Sequence, residues 1–146
     1  MSFTYRGLKA ENVRHIVTEA EIDEAVAAVE PKFLEILKKA AENIRAFHSR
    51  QVRNSFIISE SKGIVMGQKV TPIENVGIYV PGGTAAYPST VLMDSIPAKI
   101  AGCQEICIVT PPNKEGKVNP VILAAAKIAG VKEMCIVTPP NSEGKV

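Results

Sequence analysis

The chain repeats one strand-and-loop segment almost letter for letter. Residues 105–118 read EICIVTPPNKEGKV and residues 133–146 read EMCIVTPPNSEGKV, with twelve of fourteen positions identical. The likeness extends backward, because 17 of 21 letters agree between 98–118 and 126–146 at a constant offset of 28. Self-similarity at a fixed period indicates a repeated supersecondary unit. Here that unit consists of one strand, one loop and one helix.

Short apolar runs alternate with helical segments in the second half of the chain. The runs that read as buried strands are VGIYV at 76–80, ICIVT at 106–110 and MCIVT at 134–138. Helices are predicted at 89–101 and at 119–129, the second with Asn119 as N-cap. Strands that are apolar throughout and alternate with helices indicate a parallel sheet covered by helices. The predicted fold class is therefore α/β, of a half-Rossmann or flavodoxin-like type.

A capping box opens the first helical pattern. Thr18 is spaced to accept from the amide of Glu21, whose carboxylate can reach back to the cap. Apolar residues then recur at helical spacing through 18–50. Pro31 interrupts the pattern, so 18–50 reads either as one kinked helix or as a pair with Pro31 in the first turn of the second.

The segment between these two regions is rich in β-formers, glycine and proline. Residues 56–73 predict a small hairpin or edge strands. We expect an N-terminal helical segment over 1–54 and a βα-repeat domain over 55–146. With 146 residues, the two are expected to form one compact unit.

Composition narrows the range of partners. Apolar residues make up 46% and charged residues 22% of the chain, and the net charge of +2 is spread along it. A dispersed charge argues against nucleic acid or an anionic membrane as the main partner. No apolar run has the length of a membrane span, and no signal segment opens the chain. A cytoplasmic location is expected.

Cysteine and histidine do not form a recognisable metal or redox pattern. Cys103, Cys107 and Cys135 occur without a CxxC spacing and without a neighbouring histidine, so they are interpreted as small buried apolar residues. His15 and His48 both fall in the N-terminal region that is predicted to be helical, and are interpreted as surface or helix-end residues. No metal site is predicted from these spacings.

The loops that follow the three strands form the candidate site, since open parallel sheets bind ligands beyond the carboxyl ends of their strands. In the first loop, Gly82 and Gly83 would allow a ligand close to the backbone, and Ser89 and Thr90 stand where a helix begins. The free amides of a helix start favour an anion such as a phosphate. The alternative is a tight turn, because neither GxGxxG nor GxxxxGK[ST] is present. Glu115 and its neighbouring lysines read as a solvated turn.

Residues 70–133 closely resemble histidinol dehydrogenase. The likeness rests on VGIYVPGG, the STVLM helix start, the IPAKIAG turn and the VTPPN loop, in the family's order and spacing. The helix ending in NIRAFHSRQ at 43–51 is also similar to the family's N-terminal region. The resemblance implies an NAD- and zinc-dependent oxidation of L-histidinol to L-histidine, in histidine biosynthesis.

Only a few of the family's site residues have a counterpart in this chain. It implies that Tyr79 contacts NAD and that Pro81, Gly82 and Gly83 form the loop beside it. The family's proton-transferring Glu–His pair and its zinc ligands belong to segments that this chain lacks. We therefore expect no required cofactor, weak NAD binding at most, no zinc and no catalytic residues.

After the third strand the chain departs from the family pattern. A GGAQAIAALA-like continuation is replaced by TPPNSEGKV, a copy of the first strand-loop segment. This favours an engineered fragment, while a natural paralogue and a duplication by recombination stay open. No helix follows the third strand to cover it, so we expect a homodimer or a domain-swapped homo-oligomer.

Three functions follow from these patterns. The favoured one is a catalytically incomplete fragment that serves as a self-associating α/β scaffold. The alternative is a weak nucleotide-binding module that keeps part of the family's cofactor site. Full dehydrogenase activity is not expected, because hydride transfer needs a positioned substrate and a proton acceptor.

Overall fold

A computed structural model describes residues 3–5, 8–10, 13–82, 85–113 and 115–137. The strands, in chain order, are β1 Phe3–Tyr5, β2 Leu8–Ala10, β3 Val13–Ile16, β4 Phe56–Ser61, β5 Ile64–Gln68, β6 Asn75–Tyr79, β7 Glu105–Thr110 and β8 Glu133–Val137. The helices are α1 Glu19–Ala28, α2 Pro31–His48, α3 Pro88–Ala101 and α4 Pro120–Ala129. All three strands and both helices expected in the second half of the chain are present.

The main sheet has four strands in the order β3-β8-β7-β6. Strands β6, β7 and β8 are parallel, with Ile78 opposite Ile108 and Ile108 opposite Met134. These three strands follow one another in chain order, so right-handed crossovers place α3 and α4 on the same face. The α/β fold class is confirmed.

Burial alternates along the strands and shows which face the helices cover. On β7, Ile106, Ile108 and Thr110 are buried, whereas Cys107 and Val109 are only half-buried. Ile108 belongs to the same apolar cluster as the buried residues of α3 and α4. Within the described residues, the helices therefore cover one face of the sheet and leave the other open.

Helices α1 and α2 pack against α3 and α4 of the same chain. Helix α4 is buried on most sides, and Ala41 of α2 is also fully buried. Arg45 donates from Nη2 to the carbonyl oxygen of Ile128 at 2.6 Å, and Lys127 pairs with Asp23 of α1. The N-terminal helices thus complete the core on the helical side of the sheet.

The helical region 18–50 is a pair of helices rather than one kinked helix. The capping box is present: the Glu21 amide donates to Thr18 Oγ1 at 3.3 Å, and the Thr18 amide donates to Glu21 Oε2 at 2.8 Å. Pro31 is the first residue of α2, where a missing amide hydrogen costs nothing. No helix in the described ranges is long and apolar enough to cross a membrane.

Strand β8 has a second hydrogen-bonded neighbour that the sequence pattern did not indicate. Strand β3 pairs antiparallel with β8, with Ile16 opposite Cys135. The sequence pattern did not indicate β3, and His15 lies in this strand rather than in a helix. The division of the chain at residue 54 stays a prediction, although β3 links the first segment directly to the sheet of the second.

Strands β4 and β5 form the hairpin expected between the two regions. Ile57 pairs with Gly67 and Ile58 with Met66. Every described side chain of the hairpin is exposed, including Ile57 at 76% and Val65 at 69%. No other described element packs extensively against it. The hairpin therefore presents apolar side chains to solvent on both of its faces.

Candidate functional site

Tyr79 lies at the carboxyl end of β6, opposite Val109 of β7. Its side chain is 64% exposed and belongs to the sheet face that the described helices leave open. The next residue, Val80, is fully buried and donates its amide to the Val109 carbonyl oxygen at 2.9 Å. The strand end thus holds the Tyr79 backbone firmly and leaves its ring accessible to a ligand.

Gly82 lies where the β6–α3 loop meets the β7–α4 loop. A Cβ atom at Gly82 would stand 3.1 Å from both Cγ and the carbonyl oxygen of Pro111. Glycine at this position is therefore explained by close packing of the two loops, without a ligand. A cofactor-binding role for Pro81 and Gly82 stays a prediction, and Gly83 lies outside the described residues.

Helix α3 begins at Pro88, one residue before the expected start. No side chain caps its amino end, where Tyr87 is the N-cap. Ser89 is exposed and Thr90 half-buried, and the Thr90 amide donates to the Tyr87 carbonyl oxygen at 3.2 Å. The amino end of α3 therefore has amides without a side-chain cap, and it follows the same loop as the exposed ring of Tyr79. The positive end of a helix favours an anionic group, so this edge of the sheet can accept one.

Asn113 organises the repeated loop after β7. Its Oδ1 accepts from the amides of Glu115 at 3.0 Å and Lys117 at 2.9 Å, and its own amide donates to the Lys117 carbonyl oxygen at 2.8 Å. Gly116 has a φ of 78°, which favours glycine. Glu115 and Lys117 are exposed, so the loop is a solvated turn held by one asparagine.

The sequence could have indicated the role of Asn113, because it stands three residues before Gly116. Asparagine side chains in turns accept hydrogen bonds from backbone amides a few residues further along the chain. The sequence interpretation named the charged residues of the loop instead. In the second copy of the segment, Asn141 and the rest of the loop lie outside the described residues.

Replacing Asn113 by alanine is expected to lower the free energy of unfolding by about 1–2 kcal/mol, because two loop amides lose their acceptor. Urea unfolding followed by circular dichroism measures the change. Glu115→Ala is the matched control in the same turn, and we expect its effect to stay within about 0.5 kcal/mol, as for an ordinary exposed side chain. Equal losses in both variants would contradict the role of Asn113.

The histidines and cysteines do not gather around these loops. His48 is the last residue of α2, half-buried, with Nδ1 2.5 Å from Gln51 Oε1. Cys103 and Cys107 are half-buried rather than fully buried as expected. No group of three or more histidine, cysteine, aspartate or glutamate side chains is placed to hold a metal ion within the described part of the chain. The described residues thus do not fit the zinc centre that the resemblance implies, and the expectation of no zinc stays a prediction.

Comparison with known proteins decides the family. A model of the histidinol dehydrogenase family matches residues 3–139, which is nearly the whole chain. This chain belongs to the histidinol dehydrogenase family. The match confirms the resemblance read from VGIYVPGG and the VTPPN loop, and it includes the first three strands as well as β8.

Two curated histidinol dehydrogenases illustrate how much of the family is present. The protein from Heliobacterium mobile is 47% identical over 122 residues, which are 84% of this chain and 29% of that protein. The protein from Clostridium acetobutylicum is 56% identical over 110 residues, which are 75% of this chain and 26% of that protein. The chain thus spans less than a third of the length of these relatives.

A crystal structure shows the same fold within a longer chain. The histidinol dehydrogenase from Elizabethkingia anophelis superposes with a TM-score of 0.80 at 41% sequence identity. The superposition covers 85% of this chain and 29% of that one. The described fold is therefore that of one part of a histidinol dehydrogenase.

Proposed function

We propose that this chain is a catalytically incomplete part of histidinol dehydrogenase that acts as a self-associating α/β scaffold. The whole enzyme would oxidise L-histidinol to L-histidine with NAD and zinc. The proposal is supported by the chain's coverage of 26–29% of its relatives and by the residues at its strand ends. The observation that carries it is the strand order.

Strands β6, β7 and β8 form a single parallel run with helices on one face. A doubly wound sheet has two such halves, and it binds a dinucleotide in the crevice where the strand order reverses. The order β8-β7-β6 does not reverse among the described strands, and β3 joins at the far side of β8. The described strands therefore supply one wall of such a crevice, beside β6, and not its opposite wall.

The loops at this edge of the sheet also contain few side chains that could act as a general acid or base. Between Val80 and Tyr87, the only ionisable side chain is the phenol of Tyr87. In the β7–α4 loop, the carboxylate of Glu115 lies on an exposed turn. A general base has to come within hydrogen-bond reach of the proton it removes, in a site that positions the substrate. Neither described loop offers that arrangement, which supports a scaffold rather than a dehydrogenase.

Self-association is tested by the molar mass of the purified chain. Sedimentation equilibrium over a wide range of protein concentration is expected to give a multiple of 15.7 kDa. Circular dichroism on the same sample checks that the chain is folded. A folded chain with the monomer mass at every concentration would contradict this part of the proposal.

The engineered origin belongs to the proposal and rests on the internal repeat. A copy made by design is expected to be absent from genomic DNA, whereas a natural paralogue or a recombined gene is present there. Amplification and sequencing of the locus from genomic DNA of the source organism measures this directly. A genomic copy that encodes both repeats would contradict an engineered origin.

A second candidate function is weak NAD binding, and the exposed ring of Tyr79 beside two converging loops favours it. If this function holds, calorimetric titration of NAD gives saturable binding that Tyr79→Ala weakens about tenfold or more, because a stacked aromatic ring contributes over 1 kcal/mol. Phe47→Ala is the control, since Phe47 is an equally exposed aromatic residue on α2, away from these loops. Absence of heat with millimolar NAD and a folded chain would exclude this candidate.

A further inference from the structure

A groove between α1 and α4 is open in the part of the chain that the structure describes. It encloses about 130 Å³. A cavity of about 150 Å³ with apolar walls holds a benzene molecule, so this groove can accommodate an aliphatic side chain. Most of its walls are apolar and are formed by Val17, Ala25, Ala28, Val118, Pro120 and Leu123. Apolar walls in contact with water favour the burial of an apolar side chain against them.

The groove lies at the edge of the sheet where the parallel strands end. Pro120 is the first residue of α4, the helix that follows β7, and Ala28 is the last residue of α1. Strand β8 is the hydrogen-bonded neighbour of β7, so the two strands are about 5 Å apart. Residues 138–146, here called the second loop segment, therefore leave the sheet beside the groove.

The loop after β7 shows how such a segment buries a valine. Thr110 at the end of β7 is buried, and Val118, eight positions later, is also buried and forms part of the groove wall. Between them, Asn113 holds an exposed turn by accepting hydrogen bonds from two loop amides. The turn thus returns the chain from solvent to the core at the valine.

The second loop segment repeats the residues on which this return depends. Thr138 and Val146 are the same eight positions apart. Asn141 and Gly144 stand at the places of the asparagine and of the glycine with positive φ in the first loop. A nearly identical sequence after a neighbouring parallel strand predicts the same turn, held by its asparagine. The valine that this turn returns to the core is Val146.

The charged residues at the groove and in the second loop segment are complementary. Glu24 lines the groove from α1, Lys117 lines it from the loop before α4, and both are exposed. In the second loop segment, Lys145 directly precedes the valine, and Glu143 lies two residues before Lys145. A valine in the groove therefore brings the segment's lysine towards Glu24 and its glutamate towards Lys117.

We propose that the second loop segment docks on its own chain, with Val146 buried in the groove between α1 and α4. The attachment of the segment to β8 keeps it at a high effective concentration beside the groove. This attachment favours it over the same segment of a second chain and over a free apolar ligand. The docking joins residues of one chain, so it is independent of the proposed self-association.

Hydrogen exchange in the unchanged chain, followed by NMR, tests the docking. We expect the amides of Glu143 and Lys145 to exchange at least about tenfold more slowly than in the free peptide TPPNSEGKV, because burial of one valine favours the docked state by about that factor. The protection is expected to be independent of chain concentration. Exchange at the rate of the free peptide overturns the docking. Protection that is lost on dilution identifies a second chain as the occupant and overturns it as well.

Two variants test the role of the valine. Val146→Asp removes the apolar side chain that fills the groove and is expected to abolish the protection. Ser142→Ala is the matched control, because Ser142 stands where the two copies of the repeat differ, and it is expected to keep the protection. Circular dichroism checks that both variants are folded. Protection that persists in Val146→Asp, or that is lost equally in both variants, overturns the burial of Val146.

Carbodiimide cross-linking is a second measurement that needs no change at the valine. Lys127 and Asp23 form an ion pair between α4 and α1, so their cross-link is the positive control. We expect a further cross-link between Lys145 and Glu24 within one chain. It is expected to disappear in Lys145→Arg, which keeps the charge and lacks the amine. An isotopically mixed sample distinguishes links within a chain from links between chains. The control link without a Lys145–Glu24 link, or a Lys145–Glu24 link only between chains, overturns the docking.

Discussion

Replacement of Ile108 by alanine is expected to lower the free energy of unfolding by roughly 2–5 kcal/mol, because the removed atoms leave a cavity in a packed core. Ile108 is fully buried in the middle of β7, between Ile78 of β6 and Met134 of β8. Chemical denaturation with a constant slope against denaturant concentration would measure the change as a shift in midpoint. A loss of this size is a large fraction of the stability of a domain of this length.

Val109→Ala is the matched control for Ile108→Ala. Val109 is the next residue on the same strand, but it is half-buried and lies on the sheet face that the described helices leave open. The expected loss is about 1 kcal/mol or less, because fewer contacts are removed. The unfolding free energies of the two variants have to be measured at a chain concentration at which the protein is monomeric. Similar losses at both positions would mean that both faces of the sheet are covered within one copy.

Replacement of Ala41 by leucine is expected to destabilise the chain by about 1–3 kcal/mol, because a well-packed site has no room for a larger side chain. Ala41 is fully buried on the face of α2 that packs against α3 and α4. Thermal and urea unfolding of the variant measure the change.

Ala46→Leu is the control for this packing prediction. Ala46 is exposed on the same helix, and leucine has a good helix propensity, so the expected change lies within about 0.5 kcal/mol. A neutral Ala41→Leu variant would contradict the packing of α2 on its own chain. The N-terminal helices would then have to pack elsewhere, for example on a second copy.

The regular elements of the second half of the chain were predictable because their signals are local. Apolar runs of five residues, each followed directly by a proline, identify β6, β7 and β8 without knowledge of their neighbours. The Asn119 cap is also local, since its Oδ1 accepts from the Val121 amide at 2.9 Å, two residues away. The capping box at Thr18 is local in the same way, whereas the sequence at Pro31 left both a kinked helix and a pair of helices open.

Strand β3 could not be predicted, because its stability comes from a partner more than a hundred residues away. Its four residues, VRHI, carry no alternation long enough to identify a strand. Pairing with β8 brings Ile16 opposite Cys135 and places Val17 in the core.

The candidate site was predictable in position and not in detail. Strand ends of a parallel sheet locate Tyr79 and the glycine pair on one edge. The contact of Gly82 with Pro111 joins two loops that are distant in sequence, so an explanation by packing was visible only in the fold. The role of Asn113 was local and could have been read from its spacing to Gly116.

The same fold occurs within the much longer histidinol dehydrogenase of Elizabethkingia anophelis. Among the described residues, one face of the main sheet is open and the β4–β5 hairpin is exposed. In the longer relatives, more than two thirds of the chain lies beyond the matched part. The open sheet face and the exposed hairpin are therefore the surfaces at which further contacts can form.

The initial rate of NADH formation tests the central claim most directly. The purified chain, shown by circular dichroism to be folded, is mixed with L-histidinol, NAD and zinc ions, and the absorbance of NADH is followed. An incomplete scaffold predicts a rate equal to that of the protein-free blank at every chain concentration. A rate that rises in proportion to chain concentration, and that persists after repurification, would show that this part of histidinol dehydrogenase is itself an enzyme.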